Sequence, residues 1–201
     1  MGTGHRRGQQ SFFKTNRKHA HCHGGSLRCK RLGRKQRPLS TKDPLHVVFK
    51  IDRSRLVSRG LRSSLCFSMV TRIIRQYSKR FFVKVDQLSI QGDHIHILVR
   101  APRRSKFHDF FRVVAGQIAQ RFENEGLLKA KVVTDTPSAG PQKGTSLWRY
   151  RPFSRVVRGF RAYKIVRDYI QLNEKEARGE ISYKTNRLRG LSSGEWDILW
   201  S

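Results

Sequence analysis

Gln91-Gly92-Asp93-His94-Ile95-His96-Ile97-Leu98-Val99-Arg100 is the stretch whose reading sets the fold. Gln91-Gly92-Asp93 reads as a tight turn between β-rich Phe81 to Ile90 and the strand His94 to Arg100, so the two strands form a hairpin. Alternation along the second strand sends His94 and His96 to one face and Ile95, Ile97 and Val99 to the other. One face is built for a core and the other carries polar chemistry.

Working outward, Leu45-His46-Val47-Val48-Phe49-Lys50-Ile51 follows Pro44 and reads as a buried strand. Leu61, Leu65, Met69, Ile73 and Tyr77 recur every four residues, which predicts a helix over roughly 55–79 lying on the sheet. Beyond the hairpin, Phe107, Phe110, Phe111, Val114, Ile118 and Phe122 give a second helical stripe, stopped by Gly126. Ala130 to Thr134 reads as a short strand and Pro137 to Thr145 as a loop. Phe153 to Val157 completes the strands, and Arg161 to Arg178 forms a last helix ended by Gly179. The order β-α-β-β-α-β plus a helix predicts an α+β, ferredoxin-like split βαβ sandwich: an antiparallel sheet, helices on one face, and the C-terminal helix added.

The chain has 201 residues, with 43 Lys+Arg against 14 Asp+Glu and a formal charge of +29, which calls for a polyanionic partner. Its length suits one domain, and 37% apolar residues with 12 Phe suffice for one core. No long apolar run and no secretory signal is evident, so a cytoplasmic, nucleoid-associated protein with reduced Cys22, Cys29 and Cys66 is expected, without membrane partners. Met1 to Lys42 holds twelve Lys/Arg and no acid, and is read as a basic arm (1–42) before the domain (43–180) and a tail (181–201). Arg28, Lys30, Arg31, Arg34, Lys35 and Arg37 are its candidate phosphate contacts. His19, His21, Cys22, His23 and Cys29 lack the paired spacing of a zinc site.

Two histidines on one strand face can clamp a divalent ion, although two half-exposed sheet histidines would show the same pattern. Tyr169 and Asn173 lie one turn apart on the last helix, so phenol and amide share a face. A tyrosine oxygen beside a metal is a nucleophile for phosphates; the same residue also fits a core stripe with Ile165 and Leu172, and spacing does not decide between the two.

Over about 39–180 these residues resemble the HUH-type single-tyrosine transposases that act on single-stranded DNA, including the REP-associated tyrosine transposases. The resemblance is carried by Gly92-Asp93-His94-Ile95-His96-Ile97-Leu98-Val99, by Leu147-Trp148-Arg149-Tyr150-Arg151-Pro152-Phe153, and by Arg167-Asp168-Tyr169-Ile170-Gln171-Leu172-Asn173. It implies that Tyr169 is the nucleophile and that His94 and His96 ligate Mg²⁺ or Mn²⁺. Asn173 takes the position of a third, polar ligand, where insertion-sequence members often carry Gln. The implied activity is metal-dependent cleavage and transfer of single-stranded, hairpin-flanked or REP-like DNA through a 5′-phosphotyrosine, by a monomer or homodimer.

Arg100, Arg103, Arg104 and Lys106 follow the histidine strand, and Trp148, Arg149, Tyr150 and Arg151 interleave aromatic and basic groups, as single-strand binding requires. Trp148 is equally readable as core. A non-catalytic, RRM-like binder of single-stranded nucleic acid would explain the charge but not His94, His96 and Tyr169 together.

Overall fold

Alternate residues of two neighbouring strands hold the centre of the molecule: Leu45, Val47 and Phe49 of one and Ile95, Ile97 and Val99 of the other are fully buried. The computed structural model describes residues 21–28, 36–129 and 146–201. In chain order these form β1 (Cys22–His23), β2 (Leu45–Lys50), α1 (Ser64–Arg80), β3 (Lys84–Ile90), β4 (His94–Arg100), α2 (Arg104–Asn124), β5 (Phe153–Val156), α3 (Phe160–Arg178) and α4 (Ser193–Trp200). The expected strand over Ala130 to Thr134 and the loop after it lie outside the described residues.

The sheet order is β1-β5-β2-β4-β3, with antiparallel pairing throughout. Without β1 this is the ferredoxin-like arrangement of a split βαβ unit. Ile90 pairs with Ile95 across the turn, and the Gln91 amide donates to the His94 carbonyl at 2.8 Å, closing the hairpin as its sequence foretold. Helices α1 and α2 cover the Leu45/Ile97 face, with Phe107, Phe110, Phe111, Val114, Ile118 and Phe122 of α2 buried. Helix α3 packs across the opposite face through Ile170, against Leu98 of β4 and Val157.

Two details of α1 differ from the expectation. The helix begins at Ser64, because Asp52 caps a short 3-10 turn at Arg53–Arg55 and the chain then runs irregularly past Gly60. There the Leu61 amide binds the Gly92 carbonyl at 2.9 Å, and a Cβ on Gly60 would lie 2.6 Å from that oxygen. The buried stripe is Cys66, Met69, Val70, Ile73 and Ile74, and Leu65 is exposed. A row spaced by four drifts about 40° per step on a helix of 3.6 residues per turn, so Leu65, its first member within the helix, leaves the core face, while Leu61 is buried ahead of the helix.

Both ends expected to lie outside the domain contribute to it. Cys22–His23 adds an edge strand to β5, and the Gly25 amide donates to the Arg151 carbonyl at 2.9 Å. At the other end, Gly179 at φ 77 ends α3 in the left-handed conformation, with the Glu180 amide bonded to the Lys175 carbonyl. The chain then folds back, packing Ile181 and Leu199 on Leu172, with Trp196 against them. No helix among the described residues is long and apolar enough to cross a membrane.

Candidate functional site

The face of the sheet opposite α1 and α2 presents His94, His96, Leu98 and Arg100 from β4 beside His46, Val48 and Lys50 from β2, since Lys50 pairs with His94 and Val48 with His96. The His94 and His96 rings meet edge to face with centroids 4.7 Å apart. Each is held by its Nδ1. His94 Nδ1 binds the Asp93 carboxylate, which Lys50 Nζ approaches to 3.4 Å; His96 Nδ1 lies 3.0 Å from His46 Nε2. Both Nε2 atoms are left for another ligand, and that of His96 is buried without a hydrogen-bond partner among the described residues.

Electrostatics favour the uncharged imidazole at His96 and at its neighbour His46. Burial first, then the positive fields of His46, His94 and Arg187, hold His96 down at about 2, against a smaller opposing pull from Asp93. Burial and Arg155 hold His46 at about 4. Burial raises Asp93, but the hydrogen bond and charge of His94 and the nearby Lys50 outweigh it, so this carboxyl lies below its ordinary value. A neutral imidazole with a free Nε2 and an engaged Nδ1 is the form in which histidine binds metal. The pair therefore fits a divalent ion, with an orphaned buried nitrogen as the structural sign. Among the described residues no third His, Cys, Asp or Glu joins it.

Tyr169 stands beside the pair, its ring edge-on to His96 at 5.7 Å. Its helix is fixed to the hairpin turn by Gln91 Nε2, which donates to the Asn173 carbonyl at 2.7 Å, and by Glu174, which accepts from the Ile90 amide and from Arg62. Of the apolar stripe read through these residues, Leu172 is fully buried, Tyr169 is half-buried against Leu98, Val157 and Ile170, and Ile165 is exposed, so the tyrosine sits at the edge of the packing beside the histidines. Asn173 is buried on the same face, but its Nδ2 donates to the Tyr169 carbonyl at 2.6 Å and its Oδ1 accepts from Arg187 at 2.7 Å. The oxygen expected as a third ligand is thus already engaged.

Arg187 is the residue that sequence reasoning missed. Its guanidinium lies 5.2 Å from the ring centroids of both Tyr169 and Tyr183 and makes two hydrogen bonds to the Glu176 carboxylate. It adopts φ 53, uncommon for a side chain with Cβ. Nothing in the local sequence of the tail signals that it folds back onto the tyrosine. His46 was likewise missed, read only as part of a buried strand.

On the other side of the histidines, Val48, Lys50, Arg149, Tyr150, Arg151 and Phe153, with Gly25 and Ser26, line an open cleft of about 450 Å³. Arg149 lies over the Tyr150 ring at 5.4 Å. The structure brings together these candidates and sets others apart. Trp148 packs on Phe49 and donates its Nε1 to the Ala115 carbonyl at 3.0 Å, so it braces α2 and does not stand open to bases. Arg37 is a strut, donating to buried Ser154 Oγ at 2.6 Å and to the Pro152 carbonyl; burial, then Arg151, lower it to about 10. Arg100 binds Asp86 at 2.7 Å, whose hydrogen bond raises its pKa, and lies over Tyr163. Arg103 and Arg104 are exposed at the start of α2, and Lys106 is half-buried. The Arg28 side chain and all of Lys30, Arg31, Arg34 and Lys35 lie outside the described residues.

The chain and its fold have counterparts among known proteins. The sequence profile of the family described as "Transposase IS200 like" matches residues 42–173. The chain belongs to that family of transposases. Its fold is similar to that of a REP-associated tyrosine transposase solved with a REP hairpin, at 16% identity, with 75% of this chain and 76% of that chain covered and a TM-score of 0.50. A transposase-like protein of Deinococcus radiodurans R1 aligns at 19% identity, over 70% of this chain and 98% of that one, with a TM-score of 0.42. No curated protein matches.

Proposed function

We propose that this transposase cuts and rejoins single-stranded DNA, with Tyr169 as nucleophile and His94 and His96 as ligands of Mg²⁺ or Mn²⁺. The observation that carries the reading is the Tyr169 ring placed edge-on to His96, whose buried Nε2 has no partner. The ion, when bound, supplies positive charge to a phosphate oxygen and so stabilises the charge that develops there.

The protein's own groups do the rest. The Tyr169 oxygen forms a bond to phosphorus as the bond from phosphorus to the 3′ oxygen breaks; the phenol gives up its proton and the departing 3′ oxygen takes one. The product is a 5′-phosphotyrosine, and attack by another 3′-OH reverses the exchange and joins strands without a nucleotide cofactor. Lys50, Arg149 and Arg151 neutralise backbone phosphates in the cleft while Tyr150 and Phe153 offer stacking surfaces. Hairpin-bearing DNA is the expected substrate, in keeping with the hairpin bound by the REP-associated relative. Ligation by Asn173 Oδ1 would require Arg187 to release it.

Incubation with labelled hairpin-containing single strands in Mg²⁺, Mn²⁺ or EDTA, followed by denaturing electrophoresis, tests this. A covalent adduct should form with metal and wild-type protein and vanish in EDTA and in Tyr169→Phe. Tight binding without any adduct would replace the enzyme with a binding module.

A further inference from the structure

We infer that His46 is a positioning residue for His96: its Nε2 accepts the Nδ1 proton of His96 and thereby turns the His96 Nε2 lone pair to the site shared with His94. This rests on the metal-site reading above and assigns a role that the reading left open.

The geometry is specific. His46 and His96 are diagonal neighbours on one face of β2 and β4, with rings stacked at 5.3 Å and 18° and facing nitrogens 3.0 Å apart. A neutral imidazole carries one N–H and one lone pair, so only one of the two facing nitrogens bears the hydrogen. If His46 donated, His96 would carry its proton on Nε2, a buried donor without a partner among the described residues, which is costly. It would also have no lone pair for a metal. In the opposite arrangement Nε2 is the open atom of His96 and the bound ion satisfies it. The other polar side chain paired with His96 across the sheet, Ser89, is occupied by Gln91 Nε2 at 2.8 Å. Each ligand thus has its own acceptor, Asp93 for His94 and His46 for His96, the arrangement by which outer groups fix ring tautomer and orientation at metal sites.

The full chain with ¹⁵N-labelled histidine distinguishes the arrangements through long-range ¹H–¹⁵N ring correlations recorded with Mg²⁺. The expected result is an Nδ1–H tautomer for both His46 and His96. An Nε2–H on His46 in the Mg²⁺-loaded protein overturns the inference. Free-ion Mn²⁺ resonance gives a second readout: His46→Phe should weaken Mn²⁺ binding about 10–100-fold, while His46→Gln, which keeps an acceptor, stays within about threefold. A folded His46→Phe that binds Mn²⁺ as wild type does also overturns it, and if that variant fails to fold, the tautomers of the wild type decide. Loss of any Mn²⁺ or Mg²⁺ response at both His94 and His96 overturns the metal reading, and this inference with it. A response at those rings with His46 as donor overturns this inference alone.

Discussion

The two faces of the sheet are written in the same residues of β2 and β4, read alternately, and they do different work. Leu45, Val47, Phe49, Ile95, Ile97 and Val99 point into a packed core under α1 and α2. Between them, His46, Val48, Lys50, His94 and His96 face the tyrosine helix and the basic cleft. On the first face any apolar residue of the right volume serves, because burial is additive and non-directional. On the second, single atoms matter: one proton's position on His96 decides whether a lone pair is available. A strand two residues out of step would exchange nothing, but one residue out of step would put the histidines in the core.

This division can be broken from either side. His94→Ala should lower adduct yield at least ~100-fold, since it removes a metal ligand, while shifting stability by less than about 1 kcal/mol because its side chain is partly exposed. Adduct assays beside thermal melts check it. Phe49→Ala, on the other face of the neighbouring strand, should do the reverse: a loss of about 3–5 kcal/mol in denaturant unfolding, with the remaining folded fraction still forming adduct.

Acid sharpens the comparison. His46 at about 4 and His96 at about 2 lie below the unfolded value of about 6.5, so the unfolded chain takes up protons first. Neither affects stability at pH 7, and both reduce it as pH falls below about 6.5, by at most about 1.4 kcal/mol per pH unit for each. A pH series of unfolding midpoints should show this slope, halved in His46→Gln. The smallest expected effect lies in the cleft: Arg149→Ala or Arg151→Ala should weaken binding of all single strands alike and reduce the slope of log affinity against log salt by about 0.7 each. Measured slopes equal to wild type would place the strand elsewhere.

The fold was legible because it is periodic. The alternation around His96 and the Phe stripe from Phe107 to Phe122 each need only local spacing, and both hold in the structure. The pairing of His94 with His96 and the shared face of Tyr169 and Asn173 were legible for the same reason. What escaped depends on contacts distant in sequence: His46 meets a partner fifty residues away, and Arg187 reaches Tyr169 only because Gly179 turns the chain back. Arg37 and Trp148 look from composition like nucleic-acid contacts, yet each donates to a carbonyl of its own chain. Charge and aromaticity alone do not say which side of a surface a residue faces.

The central claim is that the polar face works through Tyr169. The most direct measurement is mass spectrometry of the trapped adduct after proteolysis. Nucleotide attached through its 5′ phosphate to the peptide at Tyr169, and absent from Tyr169→Phe, is the predicted result. Attachment to any other residue, or an adduct of wild-type yield from Tyr169→Phe, would contradict the account.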